Sequence, residues 1–314
     1  MELTLQQTFF VIFGGLVLLA ACGSALVQWL TLRTADAVKL TWIGQLNSRI
    51  HAAWLIVLLF AVGFALGEAA LAVIFALASF FALREFVALT PIKPADHLAL
   101  IVAFYVVIPL QYVLVANGWY GLYAVLIPVY LFLILPVIMA WRHDTELYLQ
   151  RVAKVQWGLM LSVYCVSHAP AIATIEPPGY EGRGPLLLLY FLLVVQMSDL
   201  FAVMASASIG RTPLRSNPNK SREGVLIGGL AAIVLGTLLW WMTPFTWWQA
   251  ALMSAATVFA GFMGGLVLAS VKRSLGERQW DQGVALSRGV LERLEAITFA
   301  APVFFHATVY FFVP

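Results

Sequence analysis

One stretch of this sequence concentrates groups that could handle phosphate. Asp199 lies inside an apolar run. Arg211, Arg215, Lys220 and Arg222 follow it, and Glu223-Gly224 opens the next apolar run. A carboxylate at membrane depth is costly, so it is a functional candidate by default. Set opposite a group of cations, it offers what a metal ion and anionic phosphates need together. Cations pair with phosphate oxygens, and a helix start adds its dipole. The same residues also read as an ordinary positive loop with one Asp bonded to a neighbouring helix.

A second stretch lies near the end of the chain. Lys272-Arg273 follow a run that contains Gly261, Gly264 and Gly265. Glu292 and Glu295 stand three apart and would share a helical face. Carboxylates at that spacing can hold a divalent ion. Arg288 and Arg293 alternate with them, so a solvated, salt-bridged face fits as well. His51, His97, His143, His168 and His306 fall one per segment without ligand spacing and read as core or interfacial residues. Cys22 and Cys165 sit in apolar runs and read as small buried hydrophobes. No dinucleotide or P-loop pattern occurs, and no basic–aromatic stripe points to nucleic acid.

The elements that must position these residues follow from composition. Hydrophobic residues make up 62% of the 314, charged residues 11%, and mean hydropathy is +0.92. Soluble domains average roughly 45–50% apolar and about 25% charged residues. A water-soluble monomer is therefore excluded, as are a disordered chain and a secreted disulfide scaffold. The class is an all-α, polytopic membrane helix bundle. Apolar runs at about 8–30, 52–67, 69–83, 98–116, 121–141, 155–175, 186–208, 224–243, 248–270 and 295–313 predict about ten transmembrane helices. The second and third are short, and they meet in a tight turn at Gly67-Glu68 or form a re-entrant pair. The first is too long for a signal-peptide core and has no basic residues before it.

Charge tests this segmentation. With odd-numbered loops on one side, every one of the 18 Lys and Arg except Arg183 falls on that side. The positive-inside rule makes it cytoplasmic, in a multi-pass protein of the cell membrane. Trp119-Tyr120, Trp240-Trp241 and Trp247-Trp248 sit where an aromatic belt belongs on the other side. Pro109, Pro128, Pro136 and Pro170 should kink or locally open their helices. No repeat or soluble domain interrupts the chain, so 1–314 reads as a single integral membrane domain.

The two stretches carry a resemblance. Gln196-Met197-Ser198-Asp199, Ile209-Gly210-Arg211 and Asn217-Pro218-Asn219-Lys220-Ser221-Arg222-Glu223-Gly224 are similar to the Q-x-N-D, F-G-R and S-P-x-K-T-x-E-G motifs of the membrane-embedded phosphatidate cytidylyltransferase (CDP-diacylglycerol synthase) family. Asn47 through Trp54, Arg84-Glu85-Phe86, Ala88-Leu89-Thr90-Pro91 and Ala300-Ala301-Pro302-Val303-Phe304-Phe305-His306 extend the likeness over most of the chain. It divides the domain into N-terminal helices, 1–185, and a catalytic-type core, 186–314. The C-terminal signature departs from the family. Gly264-Gly265 replaces G-D, and Ala269 replaces a Ser. Arg278-Gln279 replaces K-D, and Ala285-Leu286-Ser287-Arg288-Gly289 replaces P-G-H-G-G. Leu291-Glu292-Arg293-Leu294-Glu295 keeps its acids as Glu, and Val203 and Ala207 replace a Tyr and a Lys.

The resemblance implies a reaction of CTP with phosphatidate or a related lipid phosphate, giving CDP-diacylglycerol and pyrophosphate at a Mg²⁺-dependent site. It implies catalytic roles for Asp199 and Lys272 and substrate contacts from Arg211, Lys220, Glu223 and Arg273. Metal ligation would come from Asp199, Glu292 and Glu295. The missing residues leave a second reading open: a relative that keeps the fold and a lipid or nucleotide pocket and serves another membrane protein. A transporter fits the composition but not the motifs. A homodimer is left open.

Overall fold

The computed structural model describes residues 5–33, 37–90, 93–141, 143–214, 220–276 and 289–313. Among them ten helical rods follow one another. They are α1 (Leu5–Arg33), α2 (Ala37–Leu66), α3 (Glu68–Ala88), α4 (Pro94–Ala116), α5 (Tyr120–Ala140), α6 (148–173), α7 (Gly184–Ile209), α8 (Arg222–Leu238), α9 (Trp247–Ser274) and α10 (Val290–Phe312). The only β pairing among the described residues is an isolated bridge between Pro213 and Ser221. The protein is an all-α polytopic membrane bundle.

Each expected apolar run has its rod, but the rods differ in their fitness to span. Seven are long and apolar enough to cross a membrane: α1, α3, α4, α5, α7, α9 and α10. Among the described residues α2 contributes the shorter apolar stretch Ala53–Leu66. α6 opens on Gln150, Arg151, Lys154 and Gln156, and α8 has 17 residues. Ten rods thus answer the ten expected runs, and seven of them are long and apolar enough to span among the described residues.

Local sequence explains the joints. Gly67 has φ 79°, a conformation that costs glycine little, so α2 turns into α3 within one residue. Three rods contain a π-helical turn: Ala103–Val107, Leu126–Leu131 and Met160–Tyr164. The first two lie beside or around Pro109 and Pro128, whose missing N–H loosens the ladder as the sequence predicts, whereas Pro170 lies beyond the third, inside the α-helical stretch Cys165–Ala173. Pro136 instead sits within an α-helical stretch, and the Tyr148 hydroxyl donates to its carbonyl at 2.6 Å.

α7 is the central rod and packs on α2, α6, α8, α9 and α10. Its residues from Leu186 to Leu192 are almost all buried, whereas Gln196 to Phe201 are only partly so. Asp199 therefore lies where α7 leaves the core. At one end of the bundle Trp119, Trp240, Trp241, Trp247 and Trp248 are exposed, as an interface belt requires. Arg183 lies at that end, beside the Tyr180 ring. At the other end α3, α7 and α9 finish, α4, α6, α8 and α10 begin, and the remaining described basic residues from Arg84 onward cluster there. Of the two cysteines, Cys165 is buried as expected. Cys22 is exposed, because it lies on the outward face of α1.

Candidate functional site

The polar end is built on close helix contacts. An added Cβ on Gly228 would lie 2.2 Å from the Ala202 nitrogen, and one on Gly224 2.0 Å from Ser206 Oγ. Small residues let α8 meet α7 backbone to backbone, as in membrane helix pairs generally. Ser221 caps α8, accepting from the Gly224 amide at 2.9 Å while its own amide donates to Ser206 Oγ at 2.8 Å.

The described ends of the loop between these helices pair with each other. The Leu214 amide donates to the Lys220 carbonyl at 2.8 Å, and the Arg222 amide to the Thr212 carbonyl at 3.0 Å. Glu223 accepts from the amides of Arg211 and Thr212, at 3.2 and 3.1 Å, and from the Thr212 hydroxyl at 2.8 Å. Its own amide, then these Thr212 and Arg211 donors, hold the Glu223 carboxyl down to about 2. The folded loop turns Lys220 back onto α7, where its Nζ forms an ion pair with Asp199 Oδ1. Both side chains are about a quarter exposed, at 23% and 25%.

A second pair forms between α9 and α10. Lys272 Nζ lies 3.4 Å from Glu295 Oε1, and the two side chains are 12% and 21% exposed. Gly264 permits this approach, because an added Cβ would sit 2.9 Å from the Glu295 carbonyl oxygen. Gly265 faces open space, with nothing within 4 Å of an added Cβ. A side chain would fit there, so packing does not require a glycine at this position.

The structure thus joins Asp199 to Lys220, Glu223 to the Arg211–Thr212 turn, and Lys272 to Glu295. Glu295 meets a cation on α9. Glu292 is half-buried on the first turn of α10. Arg211, Arg222, Arg273 and Arg293 are exposed at the same end. Arg215, Arg288 and the departures at 278–279 and 285–288 lie outside the described residues. Among the described residues no three His, Cys, Asp or Glu side chains gather into a metal-holding group.

Two features at this end had no signal in residue spacing. Glu85, on α3, accepts from the amides of Val290 and Leu291 at 2.7 and 2.8 Å and so caps α10. Arg151 Nε bonds Asp96 Oδ1 at 3.0 Å, each side chain being 5% exposed, and Arg151 Nη1 reaches Asp144 at 2.8 Å. That clasp ties the starts of α4 and α6 together. In the opposite half of the bundle His168 is buried among Tyr123, Tyr164, Phe305 and His306, the core role expected of it.

Comparison with known proteins places these residues in context. The chain is 30% identical over 270 residues to the uncharacterized protein YnbB of Escherichia coli K12, covering 84% of this chain and 87% of that protein. It is 27% identical over 194 residues to the phosphatidate cytidylyltransferase of Helicobacter pylori 26695, covering 58% of this chain and 72% of the relative. With the phosphatidate cytidylyltransferase of Haemophilus influenzae Rd it shares 31% over 139 residues, 42% of this chain and 48% of the relative. The sequence model of the cytidylyltransferase family matches residues 47–311. That match takes in α3 to α9 and the Asp199–Lys220 and Lys272–Glu295 pairs, and on its extent the chain belongs to the cytidylyltransferase family.

Proposed function

We propose that this chain is a phosphatidate cytidylyltransferase, forming CDP-diacylglycerol and pyrophosphate from CTP and a phosphatidate-like lipid, with its polar end at the cytoplasmic face of the cell membrane. The observation that carries the reading is the Asp199–Lys220 pair. It sits at the mouth of a basic loop, within the family match and where α7 emerges from the core. The family function and the cytidylyltransferase relatives support it. The concentration of Lys and Arg at this end supports the cytoplasmic orientation.

In this reading an oxygen of the lipid phosphate attacks the α-phosphorus of CTP. The bond from that phosphorus to the oxygen bridging to the β-phosphate breaks, and pyrophosphate leaves with the electron pair. Negative charge accumulates on the transferred and leaving groups, so the work of the protein is positioning and neutralisation. Arg211, Lys220 and Arg273 bind phosphate oxygens, and Lys272 neutralises the leaving group. Glu223 serves this by fixing the Arg211–Thr212 turn, since a carboxylate would repel phosphate directly. Asp199, with Glu292 and Glu295, would hold Mg²⁺, which when bound supplies Lewis-acid neutralisation of the phosphates.

One observation favours a second reading. The carboxylates Asp199 and Glu295 are each engaged by a lysine, and Gly265 is open where the family carries an acid. A relative that binds lipid or nucleotide without turnover would look like this. Purified protein in lipid nanodiscs, given CTP, phosphatidate and Mg²⁺, separates the two. Pyrophosphate release and CDP-lipid formation that vanish in Asp199→Asn support the enzyme. CTP binding without product supports the non-catalytic relative, and synthesis that survives Asp199→Asn refutes the site assignment.

A further inference from the structure

The first turn of α10 has a cap that comes from elsewhere in the chain. Its N-cap residue, Gly289, has no side chain to offer the orphan amides of a helix start. The two carboxylate oxygens of Glu85 supply the acceptors instead, one to Val290 and one to Leu291. An added Cβ on Gly289 would fall 2.7 Å from Glu85 Oε2, so the glycine is what admits the carboxylate. A negative charge there also suits the helix dipole. Glu85 is itself held firmly. It precedes Phe86, which is buried, and Phe86 and Leu83 pack on Gly158 of α6, where an added Cβ would lie 2.9 Å from the Phe86 ring. Leu291, beside the capped amides, is fully buried. About one turn further on, Glu295 meets Lys272.

We infer that Glu85 is a positioning residue: by capping α10 in place of a local side chain, it fixes where Glu295 stands against Lys272. The end of α3 thereby becomes part of the polar site without touching a substrate. Its bearing on catalysis rests on the cytidylyltransferase reading above, but its bearing on geometry does not. Losing both acceptors should free the first turn of α10 to fray, and the Lys272–Glu295 pair should loosen with it. The Asp199–Lys220 pair is held by α7 and α8 and should stay.

A zero-length carbodiimide cross-link reads both pairs at once on the full chain in detergent or nanodiscs, with the products mapped by mass spectrometry. Glu85→Ala should lose the Lys272–Glu295 product and keep the Asp199–Lys220 product. Glu85→Gln, which keeps one acceptor oxygen, should fall between. Amide exchange at Val290 and Leu291 should rise roughly ten-fold in Glu85→Ala, as for loss of a cap, with the rest of α10 little changed. If Glu85→Ala loses both products through misfolding, Gly289→Ala tests the contact from the other side and should cause the same selective loss. A Lys272–Glu295 product at wild-type yield in Glu85→Gln and Gly289→Ala, or in a folded Glu85→Ala, overturns the proposal. In an active protein, Glu85→Gln should raise the Mg²⁺ concentration needed for half-maximal rate while the melting temperature holds. An inactive wild type would count against the proposed function alone, and the cross-links would still decide the positioning role.

Discussion

Gly228→Ala tests whether the contact between α7 and α8 sets the geometry of Asp199 and Lys220. The added methyl would lie 2.2 Å from the Ala202 nitrogen and 2.5 Å from its Cα. Ordinary contact begins near 3.4 Å, and both obstructing atoms are backbone, so no rotamer change relieves the clash. The helices must part by about 1 Å, and overpacking of that kind costs about 1–3 kcal/mol, here toward the upper figure. Alanine's better helix propensity returns at most about 1 kcal/mol. A net loss of about 2 kcal/mol lowers the melting temperature by roughly 3 °C in a chain of this size. The control is Gly265→Ala, where nothing lies within 4 Å and only the propensity gain remains. Thermal melting in nanodiscs and the carbodiimide yield of the Asp199–Lys220 product are the assays. If Gly228→Ala melts with the wild type and cross-links equally well, the close approach does not position the pair and the reasoning fails.

Other perturbations reach other parts of the polar end. Asp96→Ala leaves the buried Arg151 guanidinium without one of its two carboxylates and should cost about 3 kcal/mol, measured by thermal melting, with no selective loss of either cross-link. Glu223 links the loop to pH. Its folded carboxyl lies at about 2 against an ordinary 4.5, so the unfolded state binds the proton more readily. The stabilisation is therefore complete above about 4.5 and disappears as pH falls toward 2. Amide exchange at Arg211 and Thr212 should rise through that window, and Glu223→Gln should show the raised exchange at neutral pH. Asp199→Asn should remove CDP-lipid formation without unfolding the chain, which pyrophosphate release and melting measure separately.

What could be read directly from the sequence is what local chemistry determines. Apolar run length marked every rod from α1 to α10, because a helix must satisfy its backbone within itself wherever lipid is the solvent. Charge marked the two ends of the bundle, since Arg183 alone among the basic residues fell in an even-numbered loop and the structure puts it at the end with the tryptophans. The motif around Asp199 and Lys220 was legible because it is local: the pair is closed by one loop between two consecutive helices.

Only the tertiary structure decided the pairings that join distant segments. Spacing within its own helix gave Glu295 no sign of Lys272, which it meets on another helix, 23 positions away. Glu85 stood in a recognisable motif with no role, and it caps a helix 205 positions later. Asp96 and Arg151, 55 positions apart, carried no signal at all. Periodicity states which face of a helix is apolar, but not which neighbour that face meets or at what height. Those are set by the close approaches at Gly158, Gly228 and Gly264, where the absence of a side chain lets one backbone slide against the next until particular charges meet.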